Sequence, residues 1–128
     1  MELACGTGRL ANSLVRDGAD YTGLELSPDF AELAQNKLDA YRNTPSIITG
    51  DMRNFQLNKT FDLIFIGFNS IFHLLTNDEV LFFLSCVRWH LADYGTFLID
   101  TFVPDPLFLY RDKQKYYVME FDYSDGTY

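Results

Sequence analysis

Short apolar runs of strand length alternate with segments of helical period along most of this chain, and that alternation restricts it to one class of fold. Glu2-Leu3-Ala4 has the composition of a strand end. A helix is predicted from about Arg9 to Asp17, with Leu10 and Leu14, then Ala11 and Val15, as i, i+4 pairs and Gly18 as its stop. Tyr21 to Leu26 is a short apolar strand. Ser27-Pro28 supplies an N-cap and a first-position proline for a second helix reaching about Tyr41. Its expected inner face carries Phe30, Leu33, Ala34, Lys37, Leu38 and Tyr41, with the Lys37 amine lifted clear of apolar surface. Ile47-Ile48-Thr49 is a strand closed by Gly50. Phe61 to Phe68 is apolar except for Asp62, the pattern of a strand buried on both faces.

Thr76-Asn77-Asp78-Glu79 is a capping-box sequence opening a helix to about Ala92, with Val80, Leu81, Leu84, Val87 and Leu91 expected inward. Gly95 to Val103 is the last strand of the series, closed by Pro104 and Pro106. Strands that alternate with helices pair in parallel, with the helices laid over both faces. The expected fold is therefore α/β, a doubly wound and mostly parallel sheet over residues 1–106. From 107 to 128 the pattern changes. Tyr116 to Tyr123 is aromatic and Asp125-Gly126 is a hairpin signal, so an antiparallel extension is expected to begin there. The opening strand lacks its beginning and the hairpin its return, so the sheet is expected to be incomplete, with an edge that invites pairing with a second copy.

Charge narrows the partners. Ten Lys and Arg against 18 Asp and Glu leave a net charge of −8 over 128 residues. Nucleic acid and anionic membrane surfaces both need dense positive charge, so neither is an expected partner. No apolar run approaches the ~18 residues of a membrane span. Cys5 and Cys86 have neither metal-ligand nor disulfide-framework spacing, so no metal is expected. Free thiols, with no basic stretch of a secretory signal near Met1, point to the cytosol.

The chemistry is concentrated at strand ends. Cys5-Gly6-Thr7-Gly8 between a strand and a helix lets the backbone turn tightly and approach a ligand with its amides. Gly6-Thr7-Gly8-Arg9-Leu10-Ala11 also fits the G-x-G-x-x-G/A fingerprint of dinucleotide enzymes. Glu2 argues against a pyrophosphate, since a carboxylate beside the loop repels an anion and attracts an ammonium group. Glu25, at the end of the second strand, can accept hydrogen bonds from ribose hydroxyls under either reading. Asp51, after Gly50, suits an exocyclic amine of adenine, and the flexible Met52 suits its flat face. An adenosine with an amino-acid tail requires these parts together.

On these residues the chain resembles the class I S-adenosylmethionine-dependent methyltransferases. Glu2-Leu3-Ala4-Cys5-Gly6-Thr7-Gly8 is similar to their first motif, with Ala4 where a glycine is usual. Tyr21-Thr22-Gly23-Leu24-Glu25-Leu26-Ser27-Pro28 resembles the second, and Gly50-Asp51-Met52-Arg53 looks like the adenine loop. Phe61-Asp62-Leu63-Ile64-Phe65 resembles the fourth-strand motif. His90 to Phe97 looks like the entry to the fifth strand, with Asp93-Tyr94 replacing the common proline-glycine.

The resemblance implies a Rossmann-like sheet, S-adenosyl-L-methionine as cofactor and methyl transfer to a small-molecule acceptor. It implies that Ala4, Cys5, Gly6, Thr7 and Gly8 form the loop beneath the methionine part, with Glu2 drawn to its ammonium. Glu25 and Leu26 would hold the ribose end, and Asp51 and Met52 the adenine. Phe68-Asn69-Ser70 follows the fourth strand, where the family contacts the methionine amine through backbone and admits the acceptor. His73 and Asn69 are the catalytic candidates in that loop, although packing between Phe72 and Leu74 is the plainer reading of His73. His90 is expected to be structural, and Cys5 a loop residue rather than a nucleophile. Two other readings stand beside this one: a domain that binds cofactor without catalysis, and a nicotinamide oxidoreductase built on the same glycine loop.

Overall fold

Five strands form one parallel sheet in the computed structural model, which describes residues 1–41, 45–103 and 105. In chain order the elements are β1 (Glu2–Leu3), α1 (Ala11–Arg16), β2 (Thr22–Glu25), α2 (Pro28–Leu38), β3 (Ser46–Thr49), β4 (Phe61–Ile66), a 3₁₀ turn (Ser70–His73), α3 (Asn77–His90) and β5 (Leu91–Ile99). Their spatial order is β3-β2-β1-β4-β5. The chain winds outward from β1 to β3, then returns to the other side of β1 for β4 and β5. The strand order thus reverses between β1 and β4, and a crevice opens at the carboxyl ends there.

Two apolar clusters hold the sheet. One joins Ala11, Val15, Tyr21 and Leu38, with Ile47 packed against them. The other joins Leu3, Leu24, Ile64, Ile66, Phe83 and Val87, with Ile48 against it. Ile47 and Ile48 are consecutive on β3 and point to opposite faces. The clusters therefore lie on opposite sides of the sheet, which makes the fold α/β and doubly wound.

The starts of α2 and α3 follow the local signals. Ser27 Oγ accepts from the Phe30 amide at 3.4 Å, with Pro28 at the first helical position. Thr76 and Glu79 form the full capping box, Thr76 Oγ1 accepting from Glu79 N at 3.2 Å and Glu79 Oε2 from Thr76 N at 3.1 Å.

Helix faces match expectation only in part: Ala34, Leu38 and Val87 are buried as expected, and other positions are not. α2 buries Ala31, Ala34 and Leu38, while Phe30 and Leu33 stay half-exposed. α3 buries Phe83, Val87 and His90, leaving Leu81, Phe82 and Leu84 outward. In both helices apolar residues cover more than one face, so hydrophobicity alone does not select the buried stripe; the adjoining sheet does. The helix after Ser27 ends at Leu38, before Tyr41. β4 ends at Ile66 rather than Phe68, and its second face is only partly covered, with Leu63 half-exposed. β5 starts at Leu91, directly after α3, and ends at Ile99 rather than Val103. The expectations placed on Pro104 and Pro106 and on residues 107–128 lie outside the described residues. No helix among the described residues is long and apolar enough to cross a membrane.

Candidate functional site

The carboxyl ends of β1, β2 and β3 open into a cleft of about 510 Å³, within the usual range for small-molecule and cofactor sites. Its floor begins where β1 ends. Ala4, Gly6 and Gly8 take φ of +54°, +56° and +74°, a left-handed path that turns the chain from strand into α1. Glycine tolerates this backbone freely, and Ala4 adopts it at a steric cost. Gly8 is also a close approach: a Cβ there would lie 3.1 Å from the Ala34 Cβ of α2. The Gly6 position is different, since a Cβ there would meet nothing within 4 Å and Gly6 lines the cleft. A ligand can therefore reach the backbone.

Glu25 ends β2 beside this loop. Its Oε2 accepts from the Gly6 amide at 2.8 Å and its Oε1 from the Ser27 amide at 2.9 Å. The carboxylate is buried yet lines the cleft, with acceptor capacity left on both oxygens. On the outer side of the loop, Lys37 Nζ donates to the Thr7 carbonyl at 2.7 Å. That amine is therefore fixed to the glycine turn rather than lifted free.

Glu2 lies away from the cleft lining. It is buried, with Oε2 accepting from the Tyr21 hydroxyl. Burial pushes its carboxyl up to about 7, against the downward pull of the Tyr21 hydrogen bond, the amino terminus and Arg9. Burial also pushes the Cys5 thiol up to about 12, helped by the charges of Glu2 and Glu25. A thiol so held is inert at neutral pH.

The third wall is the turn after β3. Asp51 is gripped by Arg53, whose Nε lies 3.0 Å from both carboxylate oxygens and whose Nη2 lies 2.6 Å from Oδ2. The Arg53 amide adds a bond to Oδ1 at 2.8 Å. These hydrogen bonds hold the Asp51 carboxyl below the usual carboxylate range. Arg53 Nη1 also donates to Glu79 Oε1. Leu26, Phe30, Met52 and Leu74 give the cleft apolar surface.

The chain after β4 forms the far rim. Phe68 and Asn69 are consecutive left-handed residues, at φ +52° and +63°. Asp100 accepts from both their amides, through Oδ2 at 3.2 Å and its carbonyl at 3.3 Å, and Asn69 Oδ1 accepts from the Phe102 amide at 2.8 Å. The Arg9 guanidinium stacks 3.6 Å over the Phe68 ring. Phe68 and Asn69 adjoin the cleft without lining it. His73 and Ser70 do line it, and the His73 side chain is exposed there rather than packed between its neighbours.

Of the residues singled out from sequence, Ala4, Gly6, Glu25, Leu26, Asp51, Met52 and His73 meet around one cavity. Cys5, Thr7 and Gly8 complete the turn behind it. Arg53 and Ser70, from two segments singled out in the sequence, also line it, whereas Phe30, expected on the inner face of its helix, lines the cavity instead. A signal existed for Phe30, since the first turn of a helix that follows a strand's carboxyl end stands at the crevice.

Residues 1–95 match the family model for the methyltransferase domain. The chain belongs to the class I S-adenosylmethionine-dependent methyltransferases. Among curated methyltransferases, it is 31% identical over 101 residues to dTDP-3-amino-3,4,6-trideoxy-alpha-D-glucopyranose N,N-dimethyltransferase of Streptomyces venezuelae, covering 78% of this chain and 40% of that protein. A solved S-adenosylmethionine-dependent methyltransferase from Clostridium acetobutylicum ATCC 824 superposes with a TM-score of 0.72 at 28% identity, over 77% of this chain and 40% of that one. The glycopeptide N-methyltransferase MtfA, solved with S-adenosyl-L-methionine, gives 0.70 at 32% identity, over 77% and 41%. The chain spans between 38% and 52% of the length of the curated methyltransferases it matches.

Proposed function

We propose that this methyltransferase chain binds S-adenosyl-L-methionine in the cleft and serves methyl transfer to a small-molecule acceptor. The observation that carries the reading is Glu25, a buried carboxylate that lines the cleft while bonded to the Gly6 amide at 2.8 Å. An acceptor group set against an open glycine turn is what a ribose joined to an amino-acid tail requires. The cleft volume and its apolar walls suit the adenosine part. Asp51 supplies an acceptor for the adenine amine, and Met52 lies on the same wall for its ring.

The cofactor brings a methyl group already activated on a sulfonium. The work left to the protein is to position the acceptor and keep water out. Glu25 holds the vicinal hydroxyls, and the turn from Ala4 to Gly8 carries the methionine part. Glu2 lies off the cleft lining, bonded to Tyr21 and with its carboxyl pushed up to about 7, so only its ionised fraction favours the methionine ammonium, and from a distance. His73, exposed on the cleft wall, is the group able to take a proton from an acceptor that arrives protonated. Asn69, on the adjoining rim with its Oδ1 accepting from the Phe102 amide, is the second group proposed to meet the acceptor. The acceptors printed in the names of relatives, an amino sugar nucleotide and a glycopeptide, support a small molecule. Free Cys5 and Cys86 suit a reducing cytosol. Pairing of two copies along β5, which ends the sheet among the described residues, is the proposed route to a homodimer.

Calorimetry with S-adenosylhomocysteine and with NAD tests the cofactor reading. Binding of the first and not the second is expected, and the reverse overturns it. Glu25→Ala should weaken S-adenosylhomocysteine binding by about 1–3 kcal/mol. Unchanged affinity removes the ribose role.

A further inference from the structure

We infer that Arg53 is a positioning residue for base selectivity, holding Asp51 as an oriented acceptor that admits a 6-amino purine and rejects a 6-oxo purine. This rests on the cofactor reading above and adds to it a residue and a discrimination. Three N–H groups of Arg53, the amide, Nε and Nη2, converge on the Asp51 carboxylate. A carboxylate has about four acceptor positions, and the three hydrogens make four contacts because Nε is shared between both oxygens, so one further donor enters where Nε gives up one of its two contacts. Asp51 keeps 31% of its side chain exposed and lines the cleft, where such a donor would arrive.

The guanidinium is itself braced from the far side. Its Nη1 donates to Glu79 Oε1, and Glu79 Oε2 accepts from the Leu75 amide at 2.7 Å and the Thr76 amide at 3.1 Å. Glu79 belongs to the capping box that starts α3. The Arg53 carbonyl also accepts from Cys86 Sγ at 3.4 Å. Arg53 therefore spans from the turn after β3 to the cap of α3 and cannot swing away without breaking both ends. A planar fork held in this way fixes the plane of the carboxylate, which a flexible point charge would not do. The result is an acceptor-only edge, favourable to an exocyclic amine and repulsive to a carbonyl oxygen.

The test compares binding of S-adenosylhomocysteine and S-inosylhomocysteine to the wild-type chain, Arg53→Gln and Arg53→Lys, with thermal melts alongside. The wild-type chain is expected to prefer the adenosyl compound by at least roughly tenfold, the scale of one charge-assisted hydrogen bond. Arg53→Gln should lose most of that preference while binding the shared ribose and amino-acid parts. Arg53→Lys, with the charge but not the fork, should recover part of it. A preference in Arg53→Gln within about twofold of wild type overturns the proposal. If Arg53→Gln does not fold, Arg53→Lys decides: a reduced preference supports the proposal and an unchanged one overturns it. Binding of neither compound to wild type would instead defeat the cofactor reading itself.

Discussion

Ala4 is the residue whose chemistry fits its backbone least. At φ +54° it carries a Cβ through a region where glycine is unstrained. Ala4→Gly should stabilise the chain by up to about 1 kcal/mol, the relief of strain being offset in part by the greater freedom of unfolded glycine. Denaturant titration reads the change, and a loss of stability would mean the methyl group contributes packing that outweighs the strain. Glu2 sets a pH dependence. Its folded carboxyl lies near 7, above its ordinary value of 4.5. Between those values the folded state holds a proton that the unfolded state has lost, so stability falls as pH rises through this window and levels off above it. The shift corresponds to a loss of about 3 kcal/mol across the window. Glu2→Gln keeps an acceptor for the Tyr21 hydroxyl and removes the ionisation, so its melting temperature should be flatter with pH and higher than wild type at pH 8. A parallel pair of curves would contradict this assignment.

At the scale of elements, the starts of α2 and α3 were legible and the faces only in part. Ser27-Pro28 and Thr76 to Glu79 are local chemistry, in which side chains satisfy the first free amides of a helix, and α2 and α3 begin where these residues stand. Which stripe of a helix turns inward depends on the sheet beneath it. Phe82, Phe83 and Leu84 are three apolar neighbours in α3, and only Phe83 is fully enclosed, edge-on to Phe97 of β5. Phe83→Ala should therefore cost about 3–5 kcal/mol, and Leu84→Ala under about 1.5 kcal/mol. Equal costs would contradict the orientation of α3. His90 closes the same helix: its Nε2 accepts from the Leu57 amide at 2.8 Å and its Nδ1 faces the Cys86 carbonyl at 2.6 Å. That pairing calls for the neutral tautomer with its proton on Nδ1 and fits the structural role expected of this residue.

At the scale of the molecule, the order β3-β2-β1-β4-β5 brings together strand ends that are distant in sequence. Glu25 and Asp51 are 26 positions apart by their numbers and face one cavity because β2 and β3 pair in register, Glu25 opposite Thr49. Alternating patterns, turn glycines and caps determined the class of fold and most of the cleft, because strand ends, tight turns and helix starts are governed by neighbours along the chain. Only the tertiary structure decided the rest. It bonds Glu2 to Tyr21 and keeps it off the cleft lining, ties Arg53 to both Asp51 and Glu79, and turns Phe30 to the cavity instead of the core. Each of those outcomes depends on which element packs across from the side chain, and that is a matter of distance in space rather than spacing in sequence.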